Sequence, residues 1–374
     1  MFNVAQIASG KIYAGLENQV QNTAVGLHEF SGNKVQVILF HDEILARRLR
    51  EKNIKVHVIP VGFFGYFKSV NMINKTLISE KIDIVHSHGY KANIVAYHAS
   101  KKIPGIYRIR SEHGLPEPFS GFKLLKYRMY DYYDRKIAAG HTHRVIAVSK
   151  DVRDYLLEFL PETKVLYLHN SIGPGEETDE ETVRKIRTEL NISPGMRIIG
   201  IIGRLVPVKN HRLFIDTIKR LSELEKNVIG LIVGSGPLEN DLKEYAKKEN
   251  IADRVIFAGF RNDIPSVLGM LDVLMFTSLH EGLPMALLEA MNMGTPVISV
   301  KTGGIAEVLS ECCPEGLVDS YDPDKLARKC LELLNDPTLK NKITEAALTM
   351  VKELFSLESY THKLSAIYSE MMRW

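Results

Sequence analysis

Two cations and two carboxylates carry the densest chemistry in this sequence. The run GRLVPVKNH follows an apolar segment and places Arg204 and Lys209 just beyond Gly203, ahead of a helix starting near Asn210. A glycine lets the backbone turn, and two cations at a strand's carboxyl end beside a helix N-terminus form an anion site. Arginine grips phosphate oxygens bidentately, and lysine adds a point charge. Further on, LHEGLPMALLEA sets Glu281 in a loop and Glu289 in the helix that follows. Pro284 suits the first turn of that helix, because it has no N–H to leave unpaired. The free amides near Gly282, Leu283, Met285 and Ala286 would hold phosphate or sugar oxygens. A carboxylate is a good acceptor for the vicinal hydroxyls of a ribose or hexose. Taken singly, each motif also reads as two solvated cations, or as a capping and a surface carboxylate.

These residues need strands and helices to hold them. In the first half, strands are expected at Val4–Ser9, Val35–His41, Val56–Val61, Asp83–His88, Ile106–His113, Arg144–Ser149 and Val165–Asn170. Several are nearly continuous apolar runs, as in a parallel sheet buried on both faces. Helical patterns such as Gln19–Phe30, Asp42–Lys52 and Asp151–Phe159 lie between them. The segment IGPGEETD, 172–179, reads as a linker. The alternation then restarts, with strands at Arg197–Gly203, Val228–Gly234, Val255–Gly259, Val273–Ser278, Pro296–Val300 and Gly316–Val318. Helices are expected at His211–Leu224, Leu238–Glu249, Pro284–Met293, Asp322–Leu334 and Lys340–Leu354. This is an α/β chain of two Rossmann-like, doubly wound halves, 1–172 and 173–355, with a last helix near 356–374 packing back on the first. Ligands of such sheets bind at the carboxyl ends of the strands.

Composition narrows the class. The 374 residues are 45% hydrophobic and 25% charged, which excludes disordered and low-complexity architectures. No apolar run reaches the length of a membrane span, and the opening MFNVAQIASG does not read as a signal peptide. Three cysteines, two of them adjacent, give no disulfide framework and no zinc spacing, so a reduced, cytoplasmic protein is expected. The net charge of +3 divides unevenly: 24 Lys and Arg face 15 Asp and Glu in residues 1–172, leaving the remainder acidic. Such asymmetry suits an anionic partner touching one half, or is drift in surface charge. Gly234-Ser235-Gly236 lacks the third glycine of a dinucleotide fingerprint, because position 239 is Glu. Asp322-Pro323-Asp324 reads as a helix cap rather than a metal site.

In combination and order, Gly203-Arg204 with Lys209, then Glu281-x7-Glu289, resemble the signature of the retaining glycosyltransferases of family 4, which have the GT-B fold. The opening ASGKIYAGLENQV resembles that family's Gly-Gly-x-Glu loop, with Gly15 and Glu17 matching and Ala14 in place of the first glycine. RVIAVS at 144–149, VGSGP at 233–237, VIFAGF at 255–260 and TPVISVKTGGIAEVL at 295–309 are similar to further landmarks. The resemblance implies two facing Rossmann-like domains with a cleft between them and a nucleotide-diphosphate sugar, UDP before GDP, as donor. It implies that Arg204 and Lys209 bind the diphosphate and Glu289 the ribose. Glu281 and the amides of Gly282, Leu283, Pro284's successor Met285 and Ala286 would hold the transferred sugar. Gly15, Gly203 and Gly234 would let backbone approach the donor, while Phe260 and Arg261 lie beside the base. His113 would face the sugar and leaving group, with His86 and His88 as acceptor-side candidates. Catalysis would rest on His113, Arg204, Lys209 and Glu281, with no cofactor and no metal.

The stretch GFKLLKYRMYDYYDRKIAAGH, 121–141, adds a partner. Phe122, Leu125, Met129, Tyr133 and Ile137 recur on one helical face, flanked by Lys123, Lys126, Arg128, Arg135 and Lys136 and interleaved with Tyr127, Tyr130 and Tyr132. Basic residues with interfacial aromatics suit an anionic headgroup layer, although such a face also packs on a domain's own sheet. The expectation is a cytoplasmic enzyme, peripheral on the inner membrane face, with a lipid-linked or envelope-polysaccharide acceptor and no nucleic-acid partner. The alternatives are another GT-B enzyme such as a sugar-nucleotide epimerase, a small-molecule glycosyltransferase, or an idle nucleotide-sugar binding protein.

Overall fold

The computed structural model describes residues 1–62, 64–116, 122–175 and 178–373, with the side chains of 122–127 excluded. The chain forms two compact units, Met1–Gly173 with Phe355–Trp374, and Pro174–Leu354. It passes from one to the other within the glycine- and proline-rich run, whose Asp179 turns out to cap a helix by accepting from the Thr182 amide at 2.7 Å.

The first unit alternates β1 (Asn3–Ala8), α1 (Gly15–Phe30), β2 (Lys34–Leu39), α2 (Ile44–Glu51), β3 (Lys55–Val58), α3 (Tyr66–Ser79), β4 (Ile84–His88), α4 (Tyr90–Ser100), β5 (Tyr107–Glu112), α5 (Phe122–His141), β6 (Arg144–Ala147), α6 (Lys150–Leu157) and β7 (Val165–Tyr167). Its seven strands are all parallel, in the order β3-β2-β1-β4-β5-β6-β7. The apolar runs of β1, β2 and β4 are buried on both faces, which is why they read as continuous rather than alternating. Several strands stop before their apolar runs do. β6 ends at Ala147 because Ser149 becomes the N-cap of α6, its hydroxyl accepting from the Val152 amide.

The second unit runs α7 (Glu180–Glu189), β8 (Arg197–Ile202), α8 (His211–Leu224), β9 (Val228–Val233), α9 (Glu239–Lys248), β10 (Val255–Gly259), α10 (Ile264–Met270), β11 (Val273–Phe276), α11 (Met285–Asn292), β12 (Val297–Val300), α12 (Gly303–Cys312), β13 (Leu317–Val318), α13 (Pro323–Asn335) and α14 (Pro337–Leu354). Its parallel strands are ordered β10-β9-β8-β11-β12-β13. Asp322 caps α13 by accepting from the amides of Asp324 and Lys325. Helices α7, α10 and α12 were not legible; α12 opens on two glycines, the poorest helix formers after proline.

The chain ends in α15 (Leu357–Met371), which lies on the first unit's sheet with α1. Leu357, Leu364 and Tyr368 join Val20, Ala24 and Leu27 in one core, while α3 and α4 cover the opposite face through Ile73, Leu77, Val95 and Ala99. Contact between α1 and α15 is close at Gly26, where a Cβ would lie 2.1 Å from Thr361 Oγ1. Each sheet reverses its strand order once, between β1 and β4 and between β8 and β11. Those reversals open a crevice at the strands' carboxyl ends, and the motifs lie there.

Gly26→Ala should destabilise the protein by about 1–3 kcal/mol through overpacking, read as a lower urea midpoint. Adding Thr361→Ala should recover part of the loss. A Gly26→Ala protein as stable as the parent would contradict the docking of α15.

Candidate active site

In the second unit the site is built by loops tied to one another. After β8, Gly203 continues the ladder by donating to the Val233 carbonyl at 2.9 Å, and Leu205 donates to the Ser235 carbonyl at 3.0 Å. Gly234 donates in turn to the Gly259 carbonyl at 2.8 Å. Gly234 has φ +137°, and a Cβ there would fall 1.9 Å from the Gly203 carbonyl oxygen, so no other residue fits. The loops after β8, β9 and β10 therefore form one rigid rim, which presents exposed Arg204 and half-exposed Phe260.

Lys209 closes a single helical turn, and Asn210 takes the left-handed conformation that starts α8. Thr277 Oγ1 donates to the carbonyls of Lys209 and Asn210, and the Leu279 amide donates to the Val208 carbonyl at 2.8 Å. This clasp joins the β8 and β11 loops across the strand reversal. Within it, Lys209 Nζ lies 2.5 Å from Glu281 Oε1, and Ser278 Oγ donates to the same oxygen at 2.6 Å. The Lys209 and Glu281 side chains are only 18% and 9% exposed. At that depth a charged pair is weakly screened and holds a fixed geometry. The Glu281 carbonyl is held too: Gly303, at φ +44°, has it where a Cβ would be. Pro284 is the cap rather than the first helical residue, so α11 begins at Met285 and its first amides lie beyond Gly282 and Leu283. Glu289 sits one helical turn further along α11, partly buried.

Arg261 departs from a simple base contact. Its guanidinium binds Asp263 and Glu189, which raise its pKa further. Any contact to a ligand at this position is left to backbone atoms. His211, at the start of α8, is buried, and burial with the nearby Lys209 pushes its imidazole down to about 4.

In the first unit, Gly15 opens α1, with Glu17 Oε2 accepting from the Ala14 amide at 3.3 Å to hold the loop. Three imidazoles line the carboxyl ends of β4 and β5. His88 Nδ1 lies 3.1 Å from His113 Nε2, and the His86 ring stacks on His88 at 4.4 Å between centroids. His86 is fully buried, with Nδ1 at 2.7 Å from Tyr368 Oη and Nε2 at 2.8 Å from Ser111 Oγ. That corrects the acceptor assignment of His86: both nitrogens are engaged inside the sheet, so it supports the series rather than touching a ligand. His88 is also buried and meets His113, which is the partly exposed member. Burial pushes His86 down to about 3 and His113 to about 4, in the latter case against a hydrogen bond that His113 donates to the Asn170 side chain and that acts the other way. It holds His88 well below the usual histidine value. All three are neutral at pH 7. Sequence reasoning missed Thr277, Ser278, Gly303, Ser111 and Tyr368. Only the hydroxyls directly after the run VLMF, at a strand's carboxyl end, offered a signal.

Among the described residues, no group of three or more His, Cys, Asp or Glu side chains could hold a metal ion. No described helix is long and apolar enough to cross a membrane.

Two parallel-sheet, Rossmann-like units with these strand-end motifs define the GT-B class of sugar-transferring enzymes. Family models agree: residues 13–175 match Glycosyltransferase Family 4 and residues 182–350 match Glycosyl transferases group 1. The chain belongs to glycosyltransferase family 4. It is 26% identical over 311 residues to the UDP-Gal:alpha-D-GlcNAc-diphosphoundecaprenol alpha-1,3-galactosyltransferase of Escherichia coli, covering 82% of this chain and 80% of that one. It is 25% identical to the N-acetyl-alpha-D-glucosaminyl L-malate synthase of Bacillus anthracis, over 86% and 85% of the two chains. Among solved structures, Anabaena HepE in complex with UDP and glucose superposes with a TM-score of 0.84 at 21% identity, over 99% of this chain and 100% of that one. At that identity the likeness speaks for the fold alone.

The imidazole series makes stability depend on pH. Each ring's folded pKa lies below its unfolded value of about 6.5, so the unfolded chain binds more protons below that pH. Stability should be constant above about pH 6.5 and fall between about 6.5 and 4. In His113→Gln the slope of unfolding free energy against pH in that window should drop by about one proton. An unchanged slope in urea titrations would show that His113 is not buried neutral.

Proposed function

We propose that this protein transfers a sugar, with retention of anomeric configuration, from a UDP-sugar to a hydroxyl of a lipid-linked or envelope-polysaccharide precursor, without a divalent metal. The observation that carries the reading is the Lys209–Glu281–Ser278 cluster at the strand reversal of the second unit. Lys209 is held in place by Glu281, so its charge is oriented before any donor arrives. Pre-aimed charge is what a leaving diphosphate requires, because its negative charge grows as the glycosidic bond breaks. Arg204, on the same rim, adds a bidentate donor. Glu289 accepts from the ribose hydroxyls, and Glu281 with the first amides of α11 holds the sugar. The rim formed by Gly234, Phe260 and the backbone at Arg261 lines the base. On the acceptor side, neutral His113 hydrogen-bonds a sugar or acceptor hydroxyl, backed by His88. In a front-side attack the acceptor oxygen bonds to the anomeric carbon as the diphosphate oxygen departs, and that oxygen takes the acceptor proton. The Escherichia coli relative, which by its name uses UDP-Gal and a diphosphoundecaprenol-linked acceptor, supports both the base and the acceptor class.

Docking on an anionic membrane face draws support from α3, α4 and α5. Phe67 is 83% and Met129 68% exposed, with Tyr90, Tyr130, Tyr132 and Tyr133 also exposed. Ring contacts link Phe67, Tyr66, His98 and Tyr133, and link Tyr90 to Tyr130. On the face anticipated for α5, Ile137 packs inward while Met129 and Tyr133 do not. Exposed Lys68, Arg128 and Lys136 surround them, Lys136 lying over the Tyr132 ring. Lys123 and Lys126, and the face positions Phe122 and Leu125, lie outside the described side chains. Arg135 pairs with Asp131 instead of facing outward freely.

UDP should raise the melting temperature in EDTA, by an amount corresponding to about 2.7 kcal/mol at a hundredfold excess over Kd. Lys209→Ala should lower transfer on the order of 100-fold, roughly 3 kcal/mol of transition-state stabilisation. Stabilisation that required magnesium or manganese, or normal turnover in Lys209→Ala, would overturn the reading. In co-sedimentation, the protein should bind vesicles containing anionic lipid, release with salt, and lose binding when Lys68, Arg128 and Lys136 become Glu. Equal recovery with neutral and anionic vesicles would remove the membrane component.

A further inference from the structure

Helix α12 ends in two consecutive cysteines that the transferase reading does not use. Cys312 is partly exposed and Cys313 only 2% exposed, with the two Sγ atoms 2.8 Å apart. The helix stops between them. The Cys313 amide donates to the Leu309 carbonyl at 2.9 Å, its φ and ψ of −151° and 63° leave the helical region, and Pro314 follows. The third cysteine, Cys330, is fully buried on α13.

We propose that Cys312 and Cys313 form a reversible thiol–disulfide site, a vicinal dithiol that a low-molecular-weight disulfide oxidises to an intrachain bond at the end of α12. The two sulfurs divide the work. A hydrogen bond from Cys313 favours the thiolate of the accessible Cys312, whereas that same bond and burial push Cys313 up and keep it protonated. Thiolate character and exposure select the attacking sulfur. The Cys312 thiolate attacks one sulfur of the disulfide RSSR, whose S–S bond breaks, and RS⁻ leaves to become RSH. Cys313 then gives up its proton and attacks Cys312 Sγ, expelling the second RS⁻, which takes that proton. The protein loses two electrons and two protons, and RSSR becomes two RSH.

The reverse reaction is built in. Consecutive Cα atoms are about 3.8 Å apart across a trans peptide, below the roughly 4.4–6.8 Å that disulfides normally span. The bond that forms is strained, and strained disulfides are the more readily reduced ones. The pair therefore rests as a dithiol under reducing conditions, in keeping with a cysteine content that shows no structural disulfide framework.

The test uses the full chain, folded, with oxidised glutathione as the probe, followed by alkylation and peptide mass measurement. The peptide spanning 312–313 should escape alkylation and lose two hydrogens, and dithiothreitol should restore both alkylations. Cys330 should be unaffected. Cys313→Ser should accumulate the glutathione adduct on Cys312, and Cys312→Ser should form neither product. A stable glutathione adduct at Cys312 in the unmodified protein would overturn the proposal. So would a bond to Cys330 or between chains, or two thiols that remain fully alkylated.

Discussion

Glu281 is the residue on which the second unit's site depends. Its carboxylate binds Lys209 and Ser278, while its carbonyl occupies the space that Gly303 leaves open. One residue thus ties together the β8 loop, the β11 loop and the start of α12. A carboxylate this buried needs partners, since a lone charge at that depth costs several kcal/mol. The pairing with Lys209 meets that requirement and fixes the direction of the cation. Stability and chemistry make the same demand here, because the pair that neutralises the Glu281 carboxylate also joins the β8 and β11 loops.

The glycines follow from the same constraint. Gly234 and Gly303 each sit at positive φ, with a backbone oxygen 1.9 Å from where a Cβ would stand. Close backbone approach lets the loops after β8, β9 and β10 share one rim, held by backbone hydrogen bonds between Gly203, Val233, Gly234 and Gly259. Arg261 fits this picture. Its guanidinium anchors the β10 loop to α7 through Glu189, and its backbone is what the rim presents.

Much of this was legible in the sequence. The apolar runs gave the strands because both faces of a parallel sheet are covered, and Arg204, Lys209 and Glu281 were placed in loops just after strands, where they lie; that two of those strands flank a reversal of strand order came only with the structure. What escaped was cooperative. The role of Thr277 as a clasp depends on two loops 67 residues apart meeting at Asn210, and nothing local encodes that. Helix α12 escaped because its glycines oppose local propensity, and the close Glu281 carbonyl accounts for the first of them, Gly303. His86 was misjudged for the opposite reason. Its strand-end position suggested a ligand contact, yet α15, which arrives from the far end of the chain, brings Tyr368 onto it.

Charge shows how local and global electrostatics part company. The first unit carries 26 Lys and Arg against 17 Asp and Glu, and the second 22 against 28. The unit with the proposed diphosphate site is thus the acidic one. At physiological salt the Debye length is about 8 Å, so most of that negative surface is screened from the rim. In the proposed site, Arg204, Lys209 and the amides at the start of α11 would act over contact distances, where screening is weak. Many of the unit's acids are further offset by exposed i,i+3 and i,i+4 pairs, such as Glu180 with Arg184 and Glu181 with Lys185, which contribute little to the field at the site. Net charge by itself would point an anion to the first unit; the placement of two cations beside a strand reversal is what carries the proposal for the second.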